Sequence, residues 1–114
     1  MYNFHKLYIL LYNKISYNLN VAMNNKKLNI IRKKLDKLDN KFLDLIKKRT
    51  LLVNQVLKTK TQKKQIIDKK RIKKILSNIK TKSRKRKIDT KITNQIWKTM
   101  IKEYIKYEFR NFKK

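Results

Sequence analysis

The chain contains no cysteine, no proline and no glycine, and only one alanine and one histidine in 114 residues. Without cysteine, disulfides and thiolate metal sites are excluded. His5 stands alone, and one imidazole without partners does not make a metal site. Without glycine and proline, the residues that usually form tight strand turns and break helices are missing, which points to an all-α fold. Acids are scarce as well: seven Asp and Glu face 34 Lys and Arg, for a formal net charge of +27. A chain of this length supports one domain with a modest core. Its apolar run from Leu7 to Tyr12 is too short to span a bilayer.

The positive charge has to be discounted before it is used. Lys, Asn and Ile number 28, 12 and 15, and their codons are AT-rich. Gly, Pro and Ala, whose codons are GC-rich, number zero, zero and one. Nucleotide bias therefore accounts for much of the basicity, and a solvated lysine surface is the simplest reading of it. Positive charge attracts phosphate whatever its origin, so electrostatic binding of nucleic acid stays open as an alternative. The same bias sharpens the six arginines, Arg32, Arg49, Arg71, Arg84, Arg86 and Arg110. A position indifferent to the choice would carry Lys, whereas Arg offers a rigid fork that matches a carboxylate. Arg32, Arg49 and Arg71 are accordingly candidates for carboxylate recognition.

Residues 1–22 are rich in Tyr, Asn and Leu, contain no acid and show no small-residue cleavage pattern. They read as an extension of uncertain role, with Met23 as an alternative start and residues 23–114 as the helical domain. The expected location is the cytoplasm, with no membrane partner. From Leu28 onward, apolar residues fall three and four apart: Leu28, Ile31, Leu35, Leu38, Phe42, Leu45, Leu52 and Val56. That alternation predicts a long helix from about Asn24 to Lys60, packed on other helices. Its acids Asp36 and Asp44 stand three or four residues from lysines and read as surface pairs, which leaves Asp36 and Asp39 without a metal role. The polar run Thr61–Gln65 ends the pattern. A second helix is expected near Asp68, with Ile72, Ile75, Leu76 and Ile79 on one face. Lys80 to Lys87 reads as a solvated basic loop, with a nucleic-acid or acidic-membrane contact as the alternative. Asp89 is placed to cap a third helix that carries Ile92, Ile96, Trp97, Met100, Ile101, Ile105, Phe109 and Phe112.

One step of the apolar stripe is filled by a charge. Position 49, between Leu45 and Leu52, is an arginine. A guanidinium on a packed seam costs several kcal/mol in desolvation unless an anion meets it. Lys60 lies eleven residues further on, nearly the same face after three turns and roughly 16 Å along the axis. Two long cationic side chains leaning together can bracket a small anion. Arg32 lies seventeen residues before Arg49, about 25 Å away on another face. If it serves the same site, a second protomer supplies it.

These residues carry a resemblance. Ile31-Arg32-Lys33-Lys34-Leu35-Asp36-Lys37-Leu38-Asp39, followed by Phe42 to Arg49, resembles the opening helix of the all-helical chorismate mutases. That helix has an Arg, two spaced acids, an apolar run and a second Arg seventeen residues after the first. Val56, Lys58 and Lys60 continue the pattern, with Lys60 on the family's essential lysine. Asp68-Lys69-Lys70-Arg71 and Ile75-Leu76 match the start of the family's second helix, and Ile88-Asp89 the start of its third. The resemblance covers about Asn24 to Phe112. It implies three helices with a long first one, an intertwined homodimer with shared sites, and rearrangement of chorismate to prephenate without a cofactor or metal. By the same analogy Arg32 of the partner and Arg49 clamp carboxylates, Lys60 meets a carboxylate and the ether oxygen, and Asp68 and Arg71 face the ring hydroxyl side. Glu108 falls where a Gln or Glu contacts that oxygen, and it donates a hydrogen bond only when protonated. Tyr104 joins the substrate-binding set at a position where a small Ser is common. Ile72 departs from the pattern, replacing a hydroxyl-binding Glu.

Two functions compete on this evidence. A basic nucleic-acid binder needs its charge on the outside, whereas an anion pocket needs some of it inside. Arg49 on the apolar seam favours the pocket.

Overall fold

The computed structural model describes residues 3–113. Among them are three α-helices and no strand: α1 (Phe4–Thr59), α2 (Lys69–Lys85) and α3 (Thr90–Asn111), with a single 3-10 turn at Lys63–Gln65 between the first two. No helix of the described residues is long and apolar enough to cross a membrane. The long first helix begins at Phe4 rather than near Asn24. Residues 4–23 contain no helix breaker, and their leucines and isoleucines keep helical geometry even where the seam pattern is absent.

Two connections are made without glycine or proline. After α1, the Gln65 side chain turns back: its Oε1 accepts from the backbone N–H of Thr61 at 2.7 Å and of Gln62 at 3.0 Å. Asp68 then caps α2, its Oδ1 accepting from Arg71 N–H at 2.9 Å. At the other end of α2, Lys87 adopts φ 55°, a left-handed conformation that glycine normally takes. Ile88 N–H bonds back to the Ser83 carbonyl at 2.9 Å and Lys87 N–H to that of Arg84 at 3.1 Å, closing the helix end. Asp89 caps α3 by accepting from Lys91 N–H at 2.9 Å. Each aspartate cap contributes roughly 1 kcal/mol.

The basic run expected as a loop is mostly helix. Residues 80–85 complete α2 and only 86–89 connect to α3. Cationic side chains suit a helix C-terminus because they offset its partial negative charge, so the run extends the helix instead of ending it. The expected pairs of Asp36 and Asp44 are also absent among the described residues, whereas Lys60–Glu108 and the exposed Lys106–Glu103 do form. Solvated pairs of that kind gain too little to fix two long side chains.

The chain divides into two compact units, Met1–Ile46 and Lys47–Lys114. In the first, every described residue except Ser16 is exposed. In the second, α2 packs on α3. Ile72, Ile75, Leu76 and Ile79 are half-buried on the α2 side, and Trp97, Met100, Ile101 and Ile105 on the α3 side. A buried hydroxyl pair, Ser83 Oγ donating to Thr93 Oγ1 at 2.8 Å, ties the two helices together. The only buried apolar side chains described are Leu57 and Ile66.

Candidate active site

The second unit holds a cavity of about 370 Å³, between the last turns of α1, the start of α2 and the second half of α3. Its polar lining is Arg49, Lys60, Asp68, Arg71, Tyr104 and Glu108. Six of the seven site residues expected from the sequence therefore share one hollow. The seventh, Arg32, is exposed in the first unit and does not line it. The remaining wall is aliphatic, including Val53, Val56, Ile75 and Ile105. Ile72 is half-buried in that wall, so a hydroxyl on this side meets no carboxylate from position 72.

Helix periodicity explains the convergence. Arg49, Leu52, Val53, Val56 and Lys60 recur three and four apart, so one face of α1 presents a guanidinium, a short apolar floor and an ammonium. Tyr104, Ile105 and Glu108 do the same from α3. Asp68 and Arg71 stand at the N-terminus of α2, where backbone N–H groups add positive partial charge. Asp68 is occupied as a helix cap through Oδ1 while it lines the hollow.

Lys60 and Glu108 meet at 3.0 Å, and Glu108 is among the few buried polar residues, 7 % exposed. Glu108 is therefore not a solvent-exposed helix acid. A carboxylate here is compensated by the ammonium that faces it, which removes most of the cost of burying either charge alone. As an ionised group Glu108 only accepts hydrogen bonds; protonated, it also donates one.

Arg49 is different. Its Nε is buried with no hydrogen-bond partner among the described residues, and neither described ion pair includes it. The guanidinium lies over the Tyr104 ring, 5.8 Å from the centroid. Of the two ways to satisfy a seam arginine, no described carboxylate of this chain does so, which leaves the group open to an anion from outside. The cavity as a whole carries three cationic side chains against two acidic ones, and one of those acids is paired. That balance favours an anion with an apolar body.

Sequence reasoning missed the contacts that hold α3 against α1. Thr50 Oγ1 and Tyr104 Oη are 2.8 Å apart, and Tyr107 Oη donates to Asn54 Oδ1 at 2.8 Å. The signal was available: Thr50 and Asn54 are four apart on α1, and Tyr104 and Tyr107 three apart on α3. That spacing puts each pair on one helix face, but which faces meet is decided only when the helices dock.

The model of the family described as chorismate mutase type II matches residues 31–109, well over half of the chain. The chain belongs to that family. It is an isomerase of aromatic amino acid biosynthesis, and the three-helix fold agrees with the helical fold of its family. No curated protein and no solved structure matches the chain. The cavity lies wholly inside the matched segment, and nothing in the match supports nucleic-acid binding. For a mutase of this family the anion to be held is chorismate, a ring that bears carboxylates, which suits a hollow with cationic and aliphatic walls.

Proposed function

We propose that this mutase converts chorismate to prephenate in the cytoplasm, in the cavity around Arg49 and Lys60, and that each cavity is completed by a second copy of the chain. The observation that carries the reading is the partnerless, buried Nε of Arg49 at a hollow that also presents Lys60 and Arg71. A buried N–H without a partner is costly, and a substrate carboxylate relieves that cost.

The roles follow from charge. The reaction breaks an ether C–O bond as a C–C bond forms across the same molecule, so no nucleophile, metal or cofactor is required. The residues have to hold the substrate in its reactive fold and stabilise charge gathering on the ether oxygen. Arg49 binds one carboxylate and Arg32 of the partner subunit the other. Lys60 meets a carboxylate and the ether oxygen. Glu108, held against Lys60 at 3.0 Å, can donate to that oxygen only when it carries a proton. Asp68 and Arg71 face the ring hydroxyl side.

The homodimer has its own support. The seam residues Leu28, Ile31, Leu35, Leu38, Phe42, Leu45, Leu52 and Val56 are all exposed in the single chain. Burying what remains of each stabilises by on the order of 1 kcal/mol, and an antiparallel copy of α1 offers the same residues in return. Residues 1–22 are proposed as an extension outside the catalytic domain. The test is the loss of chorismate absorbance with purified protein. Turnover that disappears in Arg49→Ala, with helix content retained, supports the reading; a folded parent protein that leaves chorismate unchanged removes it.

A further inference from the structure

The Arg49 side chain raises a problem that its hydrogen bonds do not solve. Its Nε is buried without a partner among the described residues, and a flexible side chain with no anchor loses rotamer freedom when it binds. What does meet it is the face of Tyr104 at 5.8 Å. That ring is itself fixed from two directions. Its hydroxyl pairs with Thr50 Oγ1 at 2.8 Å, the residue next to Arg49 on α1. The Tyr107 ring stands edge-on to it, 6.3 Å between centroids and 86° between planes. Tyr107 is tied in turn to Asn54, one turn beyond Thr50 on α1, through its 2.8 Å hydroxyl bond. Two tyrosines from α3 are thus pinned to two polar side chains of α1, and the guanidinium lies on the first of them.

We infer that Tyr104 is a positioning residue for the mutase reaction: its pinned ring is a platform that holds the Arg49 guanidinium in the orientation that meets a substrate carboxylate. The inference rests on the assignment of Arg49 to the substrate. Tyr104 acts through Arg49. The ring attracts the cation by its electron-rich face, and a flat surface suits a planar guanidinium better than an ammonium. The platform cuts the ordering cost of binding, so its effect falls on affinity more than on the chemical step.

The experiment compares Tyr104→Leu, Tyr104→Phe and Arg49→Lys, alone and combined, by kcat and KM on chorismate. The Arg49 side-chain NMR signals are followed in the same proteins as a readout independent of activity. Tyr104→Leu is expected to raise KM roughly tenfold with kcat changed far less, and Tyr104→Phe to recover most of that loss because the ring remains. In the Arg49→Lys background, Tyr104→Leu should add little, since the group the ring positions is gone. Ring-current shifts on the Arg49 side chain should persist in Tyr104→Phe and vanish in Tyr104→Leu. Equal, additive losses in both backgrounds, or no ring-current shift in the parent, overturn the role of Tyr104. An Arg49→Lys protein as active and as tight-binding as the parent instead removes the assignment of Arg49 on which the inference depends.

Discussion

The two units of the chain teach opposite lessons about one helix. In Met1–Ile46, helix α1 carries Leu28, Ile31, Leu35, Leu38, Phe42 and Leu45 at seam spacing, and every one of them is exposed. In Lys47–Lys114, the same helix continues the spacing with Leu52 and Val56, also exposed, but α2 and α3 are present and a cavity with charged and aliphatic walls forms beside it. Apolar periodicity announces that a face is to be covered. What covers it is decided by other elements, and for the first unit the proposed cover is a second copy.

The sharpest way to break this comparison is a charge on the first unit's seam. Leu38→Lys places an ammonium where a partner helix is proposed to pack, at a cost of several kcal/mol on burial. The dimer should fall apart in analytical ultracentrifugation and activity should go with it. An unchanged sedimentation coefficient would mean that the first unit packs against nothing of its own kind.

A smaller effect sharpens the chemistry of the second unit. Glu108→Ala should cost roughly 2–4 kcal/mol of transition-state stabilisation, as the loss of an oxyanion donor does. Glu108→Gln keeps a hydrogen-bond donor at the same place, so it should retain activity. A Glu108→Ala protein matching its parent across the pH range would leave the Lys60–Glu108 pair a purely structural contact.

The smallest effect concerns a local contact. Asp89→Ala removes the cap of α3 and should cost about 1 kcal/mol, seen as a few degrees in thermal unfolding with kcat unchanged. A drop in activity beyond what the altered folding explains would show that the cap also tunes the cavity.

Much of this is legible in the sequence. The absence of Gly and Pro, with apolar residues three and four apart, pointed to three helices, and the arginine at a seam position marked where an anion is needed. Asp68, Arg71 and Glu108 came from spacing against a known family, and the structure brings them beside Arg49 and Lys60. Other features were not legible, for physical reasons. Lys80 to Lys85 read as loop because a run of like charge looks solvated, yet charge of that sign at a helix C-terminus is stabilising. The start of α1 at Phe4 lies outside the seam pattern because helix propensity alone sustains the turns before it. Thr50, Asn54 and Tyr107 escaped notice because each is an ordinary surface residue until α3 lies against α1.

The central claim, a catalytic cavity completed by a second copy of the chain, is tested most directly by mixing two inactive proteins. Arg32→Ala and Arg49→Ala are purified separately, combined under conditions of subunit exchange and assayed for loss of chorismate. Each heterodimer then contains one site with both arginines and one with neither. Random pairing restores about a quarter of parental activity. Proven heterodimers that remain inactive would contradict the shared site.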